Sequence, residues 1–190
     1  ECLATQVERL GDARIVPVVH QGHPGRSLIA EADERDAAMI VVGHRGNSRV
    51  SMRLGSTANY VLHHTQRPVV VVRGEHVDPP RKVVVGVDAH DLDGAVENES
   101  VRAVRFAFGL PGVERVRVVH AWFLPALAIG MFADVSADLD AMDAAAQANI
   151  DRVVAAVGPA PAGVEVVAEP IRGTPEFGLI EESRDADLVI

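Results

Sequence analysis

The residues of this chain best suited to chemistry stand in one stretch. The apolar run Met39-Ile-Val-Val42 leads into Gly43-His-Arg-Gly46, and eight residues later Gly55-Ser56 opens a helix-patterned segment. These types in this order suit an anion. Glycines let the backbone approach a phosphate, and successive amides form a concave nest. A helix beginning near Ser56 adds its positive end, with the hydroxyls of Ser56 and Thr57 as further donors. Arg45, Arg49 and Arg53 supply local positive charge. The same glycines would also serve a pair of tight turns and a helix start, which is the competing reading of the spacing. Two other chemistries are weaker. His63 and His64 are neighbours in a helical pattern, so their rings diverge by about 100° and do not share an ion; they read as a helix-terminal pair favourable to the dipole. A hydrolytic trio of Ser56, His120 and Asp88 lacks the strained Gly-x-Ser-x-Gly turn that exposes a nucleophile.

The elements that must hold this loop are legible from periodicity. Apolar, β-branched runs at Arg14–His20, Ala38–Val42, Pro68–Arg73, Lys82–Val87, Glu114–Ala121, Val164–Glu169 and Asp187–Ile190 predict strands covered on both faces. Between them lie helical stripes: Leu3, Val7 and Leu10; Leu28, Ile29 and Ala32; Ala58, Val61 and Leu62; Val101, Val104 and Phe108. The longest runs from Ala137 to Val157, with Leu139, Met142, Ala146, Ile150, Val153 and Val157 inward. The alternation predicts a doubly wound α/β fold of open, mostly parallel sheets with helices on both faces. The glycine loop then falls at a strand's carboxyl end, where such sheets place ligands.

An internal repeat divides the chain. Gly22-His-Pro24 followed by Leu28-Ile29 matches Gly173-Thr-Pro175 followed by Leu179-Ile180, 151 residues on, and each copy continues through Arg-Asp-Ala into another apolar run. Gly74 and the pair Pro79-Pro80 mark a linker. The expected organisation is two tandem, incomplete domains: residues 1–74 as the later part of one, 75–81 as linker, and 82–190 as the earlier part of the next. The first copy begins mid-pattern and the second stops inside a strand, which reads as a piece of a longer tandem protein or one with segments removed.

Composition closes off other classes. Of 190 residues 48% are hydrophobic and only 4% aromatic, so a core is available but base-stacking platforms for single-stranded nucleic acid are not. A net charge of −9 with no basic run argues against binding a nucleic-acid backbone. Cys2 is the sole cysteine, which excludes an internal disulfide, and runs such as Val69–Val72 are too short to span a bilayer. A soluble, cytoplasmic, acidic protein is expected.

The wording of three segments resembles the universal stress protein family: Asp36 to Gly46, Leu54-Gly-Ser-Thr-Ala-Asn-Tyr-Val-Leu-His-His64, and Arg67-Pro-Val-Val-Val-Val-Arg73. Arg81-Lys-Val-Val-Val-Gly-Val-Asp88 looks like that family's opening strand, and the whole is similar to its tandem-domain members. The resemblance implies an adenine-nucleotide-binding, Rossmann-like fold, with Gly-x2-Gly-x9-Gly-(Ser/Thr) as its signature for ATP, with or without Mg²⁺. By position, Gly43, Gly46, Gly55 and Ser56 would hold phosphates and ribose with Val42 and Thr57 alongside, while Gly86, Val87, Asp88 and Ala121 would line the adenine side of a second site. Here eight residues rather than nine separate Gly46 from Gly55. Ala89-His90 replaces the usual Gly-Ser step after Asp88, and Asp91 and Asp93 follow. Two functions stay open. One is an ATP-sensing stress regulator with at most slow hydrolysis; the other is a dimeric interaction module of the same fold that binds no nucleotide. Partners would be a second copy or the paired tandem domain, through a sheet edge such as Pro68–Arg73. Trp122-Phe123-Leu124, leaving a strand, reads as a lid, a partner surface or ordinary loop packing.

Overall fold

The computed structural model describes residues 3–12, 14–44, 54–73, 79–88, 98–123 and 135–190. They form two compact units, Glu1–His76 and Val77–Ile190.

In the first unit, helix α1 (Leu3–Leu10) precedes α2 (Pro24–Glu34), strand β1 (Ile40–Gly43), α3 (Ser56–His64) and β2 (Val69–Val72). Parallel pairing sets Ile40 opposite Val69 and Gly43 opposite Val72. Two strands alone are marginal in water, so the helices supply the burial. Ala32 of α2, Ile40 and Val42 of β1, and Ala58 and Val61 of α3 form the core, with Val69 and Val71 packed on it. Gly25 makes this packing possible. A Cβ there would lie 2.6 Å from Cδ1 of Tyr60, closer than side-chain carbons come. Arg67 ties the layers together, its Nε donating to Asp33 at 2.9 Å and its guanidinium also reaching Asp36 and the carbonyl of Ala37.

The second unit runs β3 (Lys82–Gly86), α4 (Glu99–Gly109), β4 (Arg115–Trp122), α5 (Val135–Val157), β5 (Glu165–Arg172), α6 (Pro175–Glu182), a 3-10 turn (Ser183–Asp185) and β6 (Leu188–Val189). The sheet order is β5-β4-β3-β6, every pair parallel. Val83, Val85, Val116 and Val118 pack against Val101 and Val104 of α4 and Ile150 and Val153 of α5. Of the inward stripes expected on those helices, Val101, Val104, Ala146, Ile150 and Val153 are buried, while Phe108, Leu139, Met142 and Val157 are half-buried. Asn98 caps α4, its Oδ1 accepting from the amide of Val101 at 2.8 Å.

The repeat is visible in the backbone. Gly22 and Gly173 both hold a left-handed φ, 132° and 144°. His23 and Thr174 follow in extended conformation as N-caps, and Pro24 and Pro175 enter the helices where no amide is needed. The same turn is built twice.

One expected strand is absent. Arg14–His20 forms no regular element, and Val16 and Val19 are 66% and 84% exposed. Its counterpart in the repeat, predicted as Val164–Glu169, is β5 and pairs with β4 over eight positions from Glu165 to Arg172. The difference is the neighbour. The described sheet of the first unit is β1 with β2, and no described strand lies beside residues 14–20 to accept their ladder.

Candidate functional site

Chain reversal in the second sheet creates its site. From β3 the chain steps outward to β4 and β5, then returns to the other side of β3 as β6. Where an open parallel sheet reverses this way, a crevice opens beyond the strands' carboxyl ends. A cleft of about 640 Å³ lies there, within the span of roughly 300–1,000 Å³ usual for small-molecule sites. Gly86, Val87 and Asp88 reach it from β3, Ala121 and Trp122 from β4, Ile171 from β5, and Leu179 from α6.

Local bonding sets each of these. The amide of Gly86 donates to the carbonyl of Ile190, and that of Val87 to the carbonyl of Val119, both at 2.9 Å. Position 86 is close-packed: an added Cβ would stand 3.2 Å from a methyl of Leu179, which would have to give by a few tenths of an ångström. Gly178 plays the same part across the layer, an added Cβ meeting Ile171 at 3.2 Å, so α6 sits close on the sheet. Asp88 is held through its backbone. Its amide donates to Ser100 Oγ at 3.0 Å, and the same hydroxyl donates back to its carbonyl at 3.2 Å. Ser100 is buried in the first turn of α4, so Asp88 is pinned while its side chain stays exposed.

His120 lines the cleft with a determined tautomer. Its Nδ1 lies 2.8 Å from the carbonyl of Val87, an acceptor, so Nδ1 carries the proton and Nε2 of the neutral ring is left as an acceptor. At the rim Trp122 Nε1 donates to Asp143 at 2.9 Å. Arg172 holds that carboxyl below the usual carboxylate range, with the indole bond assisting.

Among the described residues the lining is mainly apolar, with Asp88 as its one carboxylate and no Lys or Arg. Such a cleft fits the nucleoside end of a nucleotide: apolar walls for a ring, a carboxylate and an imidazole nitrogen for its polar edge. Its described lining carries no cation to balance a triphosphate.

Four of the ten residues expected at a site, Gly86, Val87, Asp88 and Ala121, thus converge here. The opposite wall, from Ile171, Pro175, Leu179 and Ile190, was not anticipated. Its one signal was the Gly173-Thr-Pro175 turn, which delivers α6 to the carboxyl side of the sheet.

The other six belong to the first unit. Val42 is buried at the end of β1, next to Gly43. Gly55 is the N-cap of α3 with φ −62° and no side-chain cap, and Ser56 and Thr57 form the first turn. Helix geometry leaves first-turn amides without an intrahelical acceptor. Two amides expected to face an anion are taken internally: His44 donates to the carbonyl of Val72, and Gly55 to that of His44, both at 2.9 Å. Neither Gly43 nor Gly55 has a left-handed φ. Gly46, with Arg45, Arg49 and Arg53, lies outside the described residues, as do Ala89, His90, Asp91 and Asp93. His63 and His64 turn back on their own helix, each Nδ1 2.8 Å from a carbonyl four residues earlier. Among the described residues no group of three potential ligands could hold a metal ion, and no helix is long and apolar enough to cross a membrane.

Comparison with known proteins follows the same lines. Residues 1–73 match the model of the universal stress protein family. A universal stress protein of Mycolicibacterium smegmatis is 27% identical over 161 residues, which is 82% of this chain and 51% of that protein. A universal stress protein of Synechocystis is 44% identical over 52 residues, 27% of this chain and 48% of that one. The chain spans about half the length of these curated relatives. Among solved structures, a universal stress protein from Archaeoglobus fulgidus shares the fold, with TM-score 0.54 and 20% identity over 96% of this chain and 58% of that one.

Proposed function

We propose that this chain, whose residues 1–73 match the universal stress protein family model, is a stress-response regulator that binds ATP or a related adenine nucleotide. The observation that carries this reading is the meeting of Gly86, Val87, Asp88 and Ala121 in one apolar cleft at the chain reversal of the second sheet. In this reading the heterocycle rests among the apolar side chains, while Asp88 accepts a hydrogen bond from the nucleoside and the amide-held backbone keeps it aimed. Phosphates extend away from the cleft, toward groups outside its lining. In the first unit, Val42, Gly43, Gly55, Ser56 and Thr57, with Gly46, serve the phosphate and ribose of a separate site. The protein acts in the cytoplasm and binds rather than turns over its nucleotide, Mg²⁺ accompanying the phosphates.

The test is calorimetric titration of ATP into the full chain, beside mass spectrometry of small molecules released from the purified protein. Binding that falls at least tenfold in Asp88→Ala is expected, as loss of a charged hydrogen-bond partner removes about 1.5–3 kcal/mol. No adenine nucleotide recovered and no heat of binding would refute it.

One observation favours the interaction module instead. The amides of His44 and Gly55 are consumed internally, and β2 pairs only with β1 among the described residues, leaving an edge for a second copy. Sedimentation with and without ATP separates the two: a dimer indifferent to nucleotide speaks for the module.

A further inference from the structure

The single tryptophan of the chain is held more firmly than a rim residue needs to be. Trp122 ends β4, and its carbonyl accepts the amide of Gly173 at 2.8 Å, so the repeated Gly-x-Pro turn closes onto it. Its Nε1 donates to Asp143 Oδ1 of α5 at 2.9 Å. Arg172, the last residue of β5, donates through Nε to Asp143 Oδ2 at 2.9 Å, contacts it again through its terminal nitrogen, and lies 3.7 Å from Asp140. The guanidinium carbon stands 5.9 Å from the indole centroid, within cation–π range. Three elements thus fix one ring.

This arrangement decides what the ring can offer. Indole has one polar group, a donor. Trp122 lines the cleft, and with its donor satisfied by Asp143 the rest of the ring is apolar π surface, which suits a planar heterocycle better than a phosphate. A ring pinned in this way also loses little rotational freedom when a ligand packs on it.

We infer that Trp122, clamped by Asp143 and Arg172, is the base-recognition wall of the cleft, so that the heterocycle of a nucleotide and not its phosphate chain decides which ligand stays. Asp143 and Arg172 are positioning residues for it. The inference rests on the nucleotide reading above, and its test separates the two.

ATP and inorganic tripolyphosphate are titrated into the full chain by calorimetry, with tryptophan emission followed in parallel. Saturating ATP is expected to change the emission of Trp122. Trp122→Leu, which keeps apolar bulk but removes the aromatic plane, is expected to bind ATP about tenfold more weakly, in line with the loss of one base–aromatic stack, and to leave any binding of tripolyphosphate as it was. Asp143→Asn, which keeps an oxygen for the indole but weakens the hold on Arg172, is expected to shift emission of the free protein and to lower ATP affinity less. ATP bound equally by unaltered chain and Trp122→Leu, with emission unmoved, overturns the wall and leaves the nucleotide reading standing. Equal loss for both ligands, or circular dichroism showing Trp122→Leu unfolded while Asp143→Asn is folded and binds as before, overturns it too. No binding of ATP by the unaltered chain overturns both.

Discussion

The two units carry the same turn and make different things of it. Gly22-His-Pro24 and Gly173-Thr-Pro175 share a left-handed glycine, an extended N-cap and a proline at the helix start. Upstream of the second copy lies β5, paired along its length; upstream of the first lies residues 14–20, irregular and largely exposed. The helices differ as well. In α2, Gly25 admits Tyr60 of α3, whose ring stacks on His64 and whose hydroxyl accepts from Arg26 Nε at 3.1 Å. In α6, Glu176, Phe177 and Ile180 are exposed and Gly178 is the buried glycine, turned to the sheet. Local sequence therefore dictates the turn in both units, while neighbours decide whether a strand forms beside it and which face of the helix is covered.

That contrast can be broken from either side. The largest effect is expected from Ile150→Ala, which empties a fully buried position in the second unit and costs about 2–5 kcal/mol. Hydrogen exchange should rise across β3, β4 and α5 while the core of the first unit, around Ala58 and Val61, keeps its protection. Next, Gly25→Ala forces a carbon onto the Tyr60 ring and should destabilise the first unit by about 1–3 kcal/mol in denaturant unfolding. The matching Glu176→Ala in the exposed turn of α6 should change stability by no more than about 0.5 kcal/mol.

The caps sharpen the comparison further. Asn98→Ala should cost about 1 kcal/mol, because a 2.8 Å bond and a buried cap are lost together. His23→Ala should cost less, since its bond to the amide of Arg26 is 3.4 Å long and exposed. The smallest effect is acid dependence. Asp187 accepts the amides of Lys82 and Arg81 at 2.9 Å, and the Lys82 amide first, then that of Arg81, holds its carboxyl below 3.8. Its folded value is depressed, so its contribution is present above the unfolded value and is lost as pH falls below about 3.8. The aligned position in the first unit is Ala38. Asp187→Asn should therefore flatten the acid limb of the second unit's unfolding midpoint and leave that of the first unit unchanged.

Much of the fold was legible because its signals are local. Valine-rich runs and helical stripes need no partner to be read, and six of the seven expected strands are present, each within a few residues of its predicted bounds. Residues 14–20 misled for a physical reason: the β-branched run within Arg14–His20 states a willingness to be a strand, and only a ladder partner makes it one. The candidate site was legible unevenly. Gly86, Val87, Asp88 and Ala121 were found by resemblance rather than periodicity, and they do share a cleft. Leu179 and Ile171 could not be joined to them from spacing, since they come from α6 and β5 and meet them only when β6 folds back beside β3. The glycine loop shows the converse. Its residue types suit an anion, yet the direction of an amide is a tertiary matter, and those of His44 and Gly55 point to carbonyls of their own unit.

By itself, then, the order of residues determined what short stretches do: glycine, proline and a capping side chain start helices, valine runs extend, and charge and composition set the class of molecule, since each acts through its own backbone or nearest neighbours. Tertiary structure alone decided which extended stretch became a strand, which glycine admits a neighbouring side chain, and which distant residues share a cleft, because those outcomes depend on groups brought within a few ångströms only after the chain reverses.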